Sequence, residues 1–199
     1  MTINKVAQAK LPTPWADFIL HAFVEETTQD EHLMISLGNL EDNQDCFLRI
    51  HSQCLTGDAL FSLRCDCGNQ LESALKIISE HGKGIVIYMA QEGRGIGLAN
   101  KIKAYELQDE GLNTIEANIK LGFAADERDY SICAEILKSM NVHKVNLMTN
   151  NPDKIKGLLD GGINVESRVS ADSKPTLHNQ DYLKDKEEKM GHLFGKKIR

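Results

Sequence analysis

Cys54, Cys65 and Cys67 are the residues whose type and spacing most directly suggest chemistry. Cys65 and Cys67 stand two apart, so on extended backbone their side chains leave the same face. Cys54 lies upstream, with enough chain between for a loop to fold back and bring a third sulfur. Thiolates are soft ligands, and a tetrahedral, sulfur-rich shell suits zinc. No fourth cysteine stands at matching spacing. Closed structural sites usually take four protein ligands, whereas catalytic ones keep a position for water. Three cysteines therefore lean towards a working metal, although His51 could close the shell. The competing reading is a set of reduced core cysteines, since free cysteine is commonly buried. Arg64, Asp66 and Gly68 are a poor setting for a buried apolar run.

Three further stretches carry polar chemistry, each with an ordinary alternative. Gln91-Glu-Gly-Arg-Gly-Ile-Gly97 lacks both the dinucleotide fingerprint and the P-loop lysine-serine pair. Its amides could still approach phosphate at a helix start. Glu92 could accept from guanine's Watson–Crick edge and Arg94 could pair with phosphate, or the stretch is a left-handed turn with solvated charges. In Asp126-Glu-Arg-Asp129, Asp126 or Asp129 could cap the next helix. Alternatively Asp126 and Arg128 form an acid–base or phosphate-clamping pair, which at a separation of two requires non-helical backbone. Thr149-Asn-Asn-Pro-Asp-Lys154 is a phosphate site at a strand's C-terminal end or plain helix-start chemistry. Tyr105 is either core or a stacking platform for a base.

These residues need a scaffold, and hydrophobic periodicity outlines one. Asp17–Val24, His32–Leu37 and Cys46–His51 read as strands, and Gly68–His81 as a helix with Leu71, Leu75 and Ile78 on one side. Gly84–Met89 is a buried strand, followed by the glycine-rich loop and a helix from about Leu98 to Glu110. Asn113–Asp129 holds loops around at most one short element. Tyr130–Met140 is a helix with Cys133 as plain core, as is Cys46 in its strand. Lys144–Met148 is a strand, Asn151-Pro152 starts a helix that ends at Gly161-Gly162, and Ile163–Val169 is the last strand. The expected fold is α/β: a mixed β-sheet covered by helices, in a single domain over 1–169. Residues 170–199 read as a polar C-terminal tail, mobile or ordered only against a substrate or partner, with 181–190 as a possible charged helix.

Composition bounds the function. At 199 residues and 22.2 kDa, with 41% apolar and 26% charged residues, the chain can build one real core. No apolar signal region or membrane-length run is present, and five unevenly spaced cysteines suit a reducing cytosol. The net charge of −6 argues against general nucleic-acid binding. Local basic residues (Arg49, Arg64, Arg94, Lys101, Lys103) could still hold a small polyanion, a nucleotide rather than a polymer.

Taken together, RIHSQCLTGDALFSLRCDCGNQLESAL, MAQEGRGIGLANKIKAYELQDEG, TIEAN, GFAADERDY and LMTNNPDK resemble GTP cyclohydrolase II, the family that opens riboflavin synthesis. The likeness runs almost the whole chain, and KMGHL near the end is similar too. The second enzyme domain that some members carry in fusion has no counterpart in the sequence. The resemblance implies a cytoplasmic, homodimeric hydrolase that takes GTP and water. Its products would be formate, diphosphate and 2,5-diamino-6-(5-phosphoribosylamino)pyrimidin-4-one. It also implies zinc on Cys54, Cys65 and Cys67, and magnesium with the triphosphate. GTP would be contacted by Arg49, Ile50, His51, Ser52, Gln53, Gln70, Glu92, Gly93, Arg94, Thr114, Thr149 and Lys154. Asp126 would be the proton acceptor, Arg128 the nucleophile towards the α-phosphate, and Tyr105 would assist at the base. One departure stands out: the family usually reads His-Ser-Glu-Cys where this chain has His51-Ser52-Gln53-Cys54. Arg128 also admits a second role. A guanidinium stays protonated and offers no lone pair, so it could stabilise charge without bonding to phosphorus. The rivals to this reading are a zinc-stabilised nucleotide-binding module without turnover and a structural zinc protein docking nucleic acid.

Overall fold

Residues 2–40, 45–171, 184, 187 and 191–193 are described by the computed structural model, and among them seven strands form one sheet. These are β1 (Ile3–Pro12), β2 (Asp17–Glu25), β3 (Glu31–Leu37), β4 (Phe47–Ser52), β5 (Gly84–Met89), β6 (Lys144–Met148) and β7 (Asn164–Val169). Their spatial order is β1-β2-β3-β5-β4-β6-β7. The pairs from β1 to β5 are antiparallel, and β5, β4, β6 and β7 run parallel. The sheet is mixed, as expected, in a single α/β domain.

Helices cover both faces. α1 (Leu55–Asp58) and α2 (Cys67–His81) follow β4; α3 (Leu98–Asp109) and α4 (Thr114–Lys120) follow β5; α5 (Ser131–Ser139) and α6 (Pro152–Asp160) flank β6. Ala74, Leu75 and Ile78 of α2 pack with Phe18, Val86 and Met148 on one face. Ile132, Ile136 and Leu137 of α5 and Leu158 of α6 pack on the other against Leu48, Ile50, Ile87 and Leu147. Burying each of the larger of these side chains is worth about 1.5–3 kcal/mol. Cys46 and Cys133 both lie in that second core, as their apolar settings predict. α2 stops at Gly82, whose φ of 80° is left-handed and whose amide reaches Ile78 O.

Two elements carry weak periodicity for identifiable reasons. β1 pairs only with β2 and exposes nearly every residue, so nothing selects an alternating pattern in INKVAQAKLP. α4 is the short element within 113–129, and its signal is a cap rather than a stripe. Asn113 Oδ1 accepts from the Glu116 amide, and Glu116 returns a carboxylate to the Asn113 amide.

The parallel strands position the site. β4 lies between β5 and β6, so the chain leaves β4 to one side and later crosses to the other. The C-terminal ends at Ser52, Met89 and Met148 flank the crevice where such sheets bind ligands. No helix of the described residues is long and apolar enough to cross a membrane. The mobility expected of 170–199 and the helix expected over 181–190 fall mostly outside the described residues. Lys184 and Glu187 are helical, and Leu193 is hydrogen-bonded to Asn150.

Candidate active site

The chain emerging from β4 turns at once into α1, and that turn gathers the three cysteines. Their sulfurs all lie within 4.8 Å of one another, and Cys54 Sγ is 3.7 Å from Cys65 Sγ. Two thiolates on one tetrahedral metal ion, at about 2.3 Å each, would stand about 3.8 Å apart. The donor set therefore fits a metal. Gly57 makes the convergence possible: a Cβ there would fall 2.7 Å from Cys65 Sγ and 3.2 Å from Cys54 Sγ. Gly68 likewise allows α2 to start against Gly57, since its Cβ would meet Gly57 O at 2.3 Å.

His51 does not join the cluster. Its Nε2 is hydrogen-bonded to Asp58 at 3.0 Å, and its ring stacks on Tyr88 at 5.4 Å. The convergent donors are Cys54, Cys65 and Cys67 without His51, whose Nε2 is held by Asp58, so the expectation that His51 could close the shell is not met in this arrangement. Burial holds the imidazole below its usual pKa despite that hydrogen bond, so it stays neutral. Asp58 also accepts from the Tyr88 hydroxyl at 2.8 Å and from the Cys54 amide at 3.0 Å. One carboxylate thus fixes the histidine, the tyrosine and the backbone of the first cysteine.

Lys101 supplies the charge next to the sulfurs. From α3 its Nζ donates to Cys54 Sγ at 3.1 Å, Thr56 Oγ1 at 2.9 Å and Glu92 Oε1 at 2.7 Å. Burial works against the ammonium, but Glu92 and Cys54 more than offset it and raise its pKa. As free thiols, Cys65 and Cys67 hydrogen-bond to Cys54 and, with Lys101 adding its charge, hold Cys54 far below a usual thiol. The same contacts and burial push Cys65 and Cys67 up.

Glu92 is buried and engaged on both oxygens. Oε1 also accepts from the Gly93 amide, and Oε2 accepts from the Leu55 amide at 2.7 Å. Its carboxylate braces the loop that carries Cys54. Residues Glu92–Gly95 form a 3₁₀ turn in which Gly93 and Arg94 are left-handed, at φ 63° and 64°. A non-glycine residue there carries strain of order 1 kcal/mol, a feature that clusters at functional sites. Gly95 permits close approach of the segment before α5: its Cβ would lie 3.1 Å from Glu127 Cβ, and the Glu127 amide donates to Arg94 O.

That segment is non-helical, as cooperation between Asp126 and Arg128 requires. The guanidinium grips the carboxylate bidentately, Nε to Oδ1 at 2.8 Å and Nη2 to Oδ2 at 2.5 Å. Burial alone would raise the Asp126 pKa, but the Arg128 hydrogen bonds and charge outweigh it and lower it.

Two adjoining cavities that share walls result. The larger, about 720 Å³, has the three cysteines, Gln53, Tyr105 and Thr114 among its walls. Arg64 lies 4.8 Å over the Tyr105 ring and pairs with Asp109, closing one side. The smaller, about 60 Å³, is cationic, with Arg49, Arg94, Arg128 and Lys154 in its walls. Ser52, Cys67, Arg94 and Arg128 line both. Gln70 holds Arg49 in place, accepting from its guanidinium and donating to Asp66 at 2.6 Å. Lys154 Nζ donates to Ile50 O at 2.9 Å and sits 5.5 Å above the Tyr130 ring. Thr149 Oγ1 accepts from the Asn151 amide at the start of α6.

Most of the residues singled out from the sequence therefore line one site. Ile50 differs: its side chain is core, and only its carbonyl faces Lys154. Asp126 stands behind Arg128 and lines neither cavity. Gly57 and Asp58 carry no site reading in the sequence, and Lys101 carries one only as a cation for a polyanion, not as the partner of Cys54 and Glu92. Gly57 and Asp58 sit within the cysteine stretch and Lys101 follows the glycine loop, but no local pattern announces their contacts.

Residues 4–170 match the family described as GTP cyclohydrolase II. A protein named GTP cyclohydrolase-2 from Pseudomonas syringae pv. tomato is 54% identical over 195 residues, covering 98% of this chain and 95% of its own length. Proteins of the same name from Hamiltonella defensa and Shigella boydii are 54% and 53% identical over 196 residues, covering 98% of this chain and 100% of theirs. A solved two-domain 3,4-dihydroxy-2-butanone 4-phosphate synthase from A. baumannii aligns at 18% identity with a TM-score of 0.46. That alignment covers 87% of this chain and 41% of the other.

Proposed function

The chain belongs to the GTP cyclohydrolase II family, and on that premise we propose that it is a zinc-dependent hydrolase opening the imidazole ring of GTP. The products are formate, diphosphate and 2,5-diamino-6-(5-phosphoribosylamino)pyrimidin-4-one, so the enzyme serves riboflavin synthesis. The observation that carries this reading is the adjacency of two cavities that share walls, one lined by three convergent thiols and the other by four cationic side chains. Such a site accepts a base at one end and phosphates at the other.

Cys54, Cys65 and Cys67 would hold zinc, which when bound supplies a water acidic enough to ionise near pH 7 for addition at C8 of guanine. Lys101 offsets part of the negative charge that three thiolates bring together. Asp58 keeps the Cys54 backbone and His51 in register. Tyr105 offers a ring against the base, steadied by Arg64 and Thr56. With both Glu92 oxygens engaged, nucleotide contacts from 92–94 come most directly through the backbone and Arg94. Thr114, at the start of α4, and Gln53 complete the base end.

Arg49, Arg94, Arg128 and Lys154 stabilise the charge that develops as water adds at the α-phosphorus and diphosphate leaves, and magnesium would enter with the triphosphate. Arg128 acts as a clamp: it pairs bidentately with Asp126, and a guanidinium, protonated at any working pH, offers no lone pair to phosphorus. By the same pairing Asp126 is a weak base at rest. It becomes a proton acceptor only if Arg128 shifts towards phosphate and releases it.

The test is incubation of purified, metal-analysed protein with GTP, reading formate and the pyrimidine together. Equal amounts of both are expected. Formate with a different pyrimidine would keep the ring opening and change the product. Nucleotide binding without formate would favour a non-catalytic module, the outcome to which Gln53 in place of the family's usual glutamate points. A homodimer is part of the same proposal, read by sedimentation equilibrium.

A further inference from the structure

Near the C-terminus, residues 191–193 are fastened to the cationic cavity. The Leu193 amide donates to Asn150 O at 2.8 Å. Arg168 of β7 donates through one nitrogen to Leu193 O at 3.2 Å, Thr149 O at 3.2 Å and Asn150 Oδ1 at 2.9 Å. The amide of Leu193 is therefore tied to the β6–α6 turn directly, and its carbonyl through Arg168, which also holds that turn. That turn is itself a wall of the cationic cavity, and His192 lines it alongside Arg49, Arg128 and Lys154. Lys184, another residue of the polar tail, lines the larger cavity.

We propose that His192 is a further substrate-binding residue, donating a hydrogen bond to the phosphate chain of the nucleotide, and that docking of 191–193 on Asn150 delivers it. The inference rests on reading the cationic cavity as the phosphate end of the GTP site. It gives a role to the KMGHL motif, which none of the residues assigned above uses. The chemistry suits the place. An imidazole carries at least one N–H donor in either protonation state, so it can add a hydrogen bond to phosphate beside the four basic side chains of the cavity. The Arg168 clamp acts on backbone carbonyls and on Asn150, so the segment can dock whatever side chain stands at 192.

The experiment uses the full chain with His192→Ala and His192→Asn, and an exposed control, His143→Ala. Titration calorimetry with diphosphate, GTP and guanosine is combined with KM and kcat from formate release. His192→Ala should raise the dissociation constant for diphosphate and the KM for GTP roughly tenfold, the loss expected for one charge-assisted hydrogen bond. Guanosine binding, zinc content and thermal midpoint should stay at native values. His192→Asn, which keeps an N–H donor, should recover part of the loss, and His143→Ala should match the native protein. Unchanged diphosphate and GTP binding in His192→Ala overturns the proposal, as does an equal loss with guanosine or a native protein that does not bind diphosphate. Absence of formate from the native protein overturns the hydrolase reading alone, because the diphosphate titration reads the cavity without turnover.

Discussion

Removing one ammonium should undo two features of the site at once. Lys101→Met deletes the cation 3.1 Å from Cys54 Sγ and strands the Glu92 carboxylate in a buried setting. Breaking a buried pair by removing one partner costs about 3–5 kcal/mol, so urea unfolding should show a loss of that order. Lys101→Met with Glu92→Gln should recover much of it, as a double-mutant cycle reads. Gly57→Ala acts on the thiols by volume instead. A methyl group 2.7 Å from Cys65 Sγ must spread the cluster, so metal affinity measured by chelator competition should fall at least roughly tenfold. Asp126 makes a prediction in pH. Its folded pKa lies below the ordinary 3.8, so its contribution to stability is full above that value and is lost as pH falls through the folded pKa. Asp126→Asn should therefore be roughly 1–2 kcal/mol less stable than the native protein at pH 7, with the gap closing below about pH 4. Denaturant unfolding across that range reads the difference directly.

α4 is where a single cap sets an element and, through it, a substrate contact. Asn113 satisfies two amides of a seven-residue helix and receives Glu116 in return, with Thr114 at the first helical position. Asn113→Ala should cost about 1 kcal/mol in urea unfolding, and Asn113→Asp should cost much less. KM for GTP should rise with the alanine because Thr114 loses its fixed place. The helices with a wide apolar stripe, α2, α5 and α6, were legible from sequence to within a residue or two, since burial of one face dictates spacing. α1 and β1 were not. α1 has four residues and is held by the Asp58 and Glu92 contacts rather than by periodicity. β1 buries no face, so its residues record pairing and nothing else.

Across the whole molecule, the site is assembled from every crossover of the parallel half of the sheet. β4 and α1–α2 bring the thiols and Arg49, the β5 crossover brings the glycine turn, Lys101 and Thr114, and β6–α6 brings Thr149 and Lys154. The cysteine spacing announced its chemistry locally because three like ligands within one loop leave few other uses. The phosphate end was legible only as separate alternatives at Arg94, Arg128 and Lys154, because these and Arg49 become a cluster only once β4, β5 and β6 lie side by side. The contacts of Asp58 and Lys101 were illegible for the same reason: their partners are set by tertiary approach. The most direct measurement is formate release from GTP by one preparation as purified, after zinc removal by a chelator, and after return of one zinc equivalent, with circular dichroism at each stage. Release should vanish and return with zinc while the sheet signal persists. Undiminished release from the stripped protein, or none from protein carrying one zinc per chain, would contradict three thiolates arming water against the guanine ring.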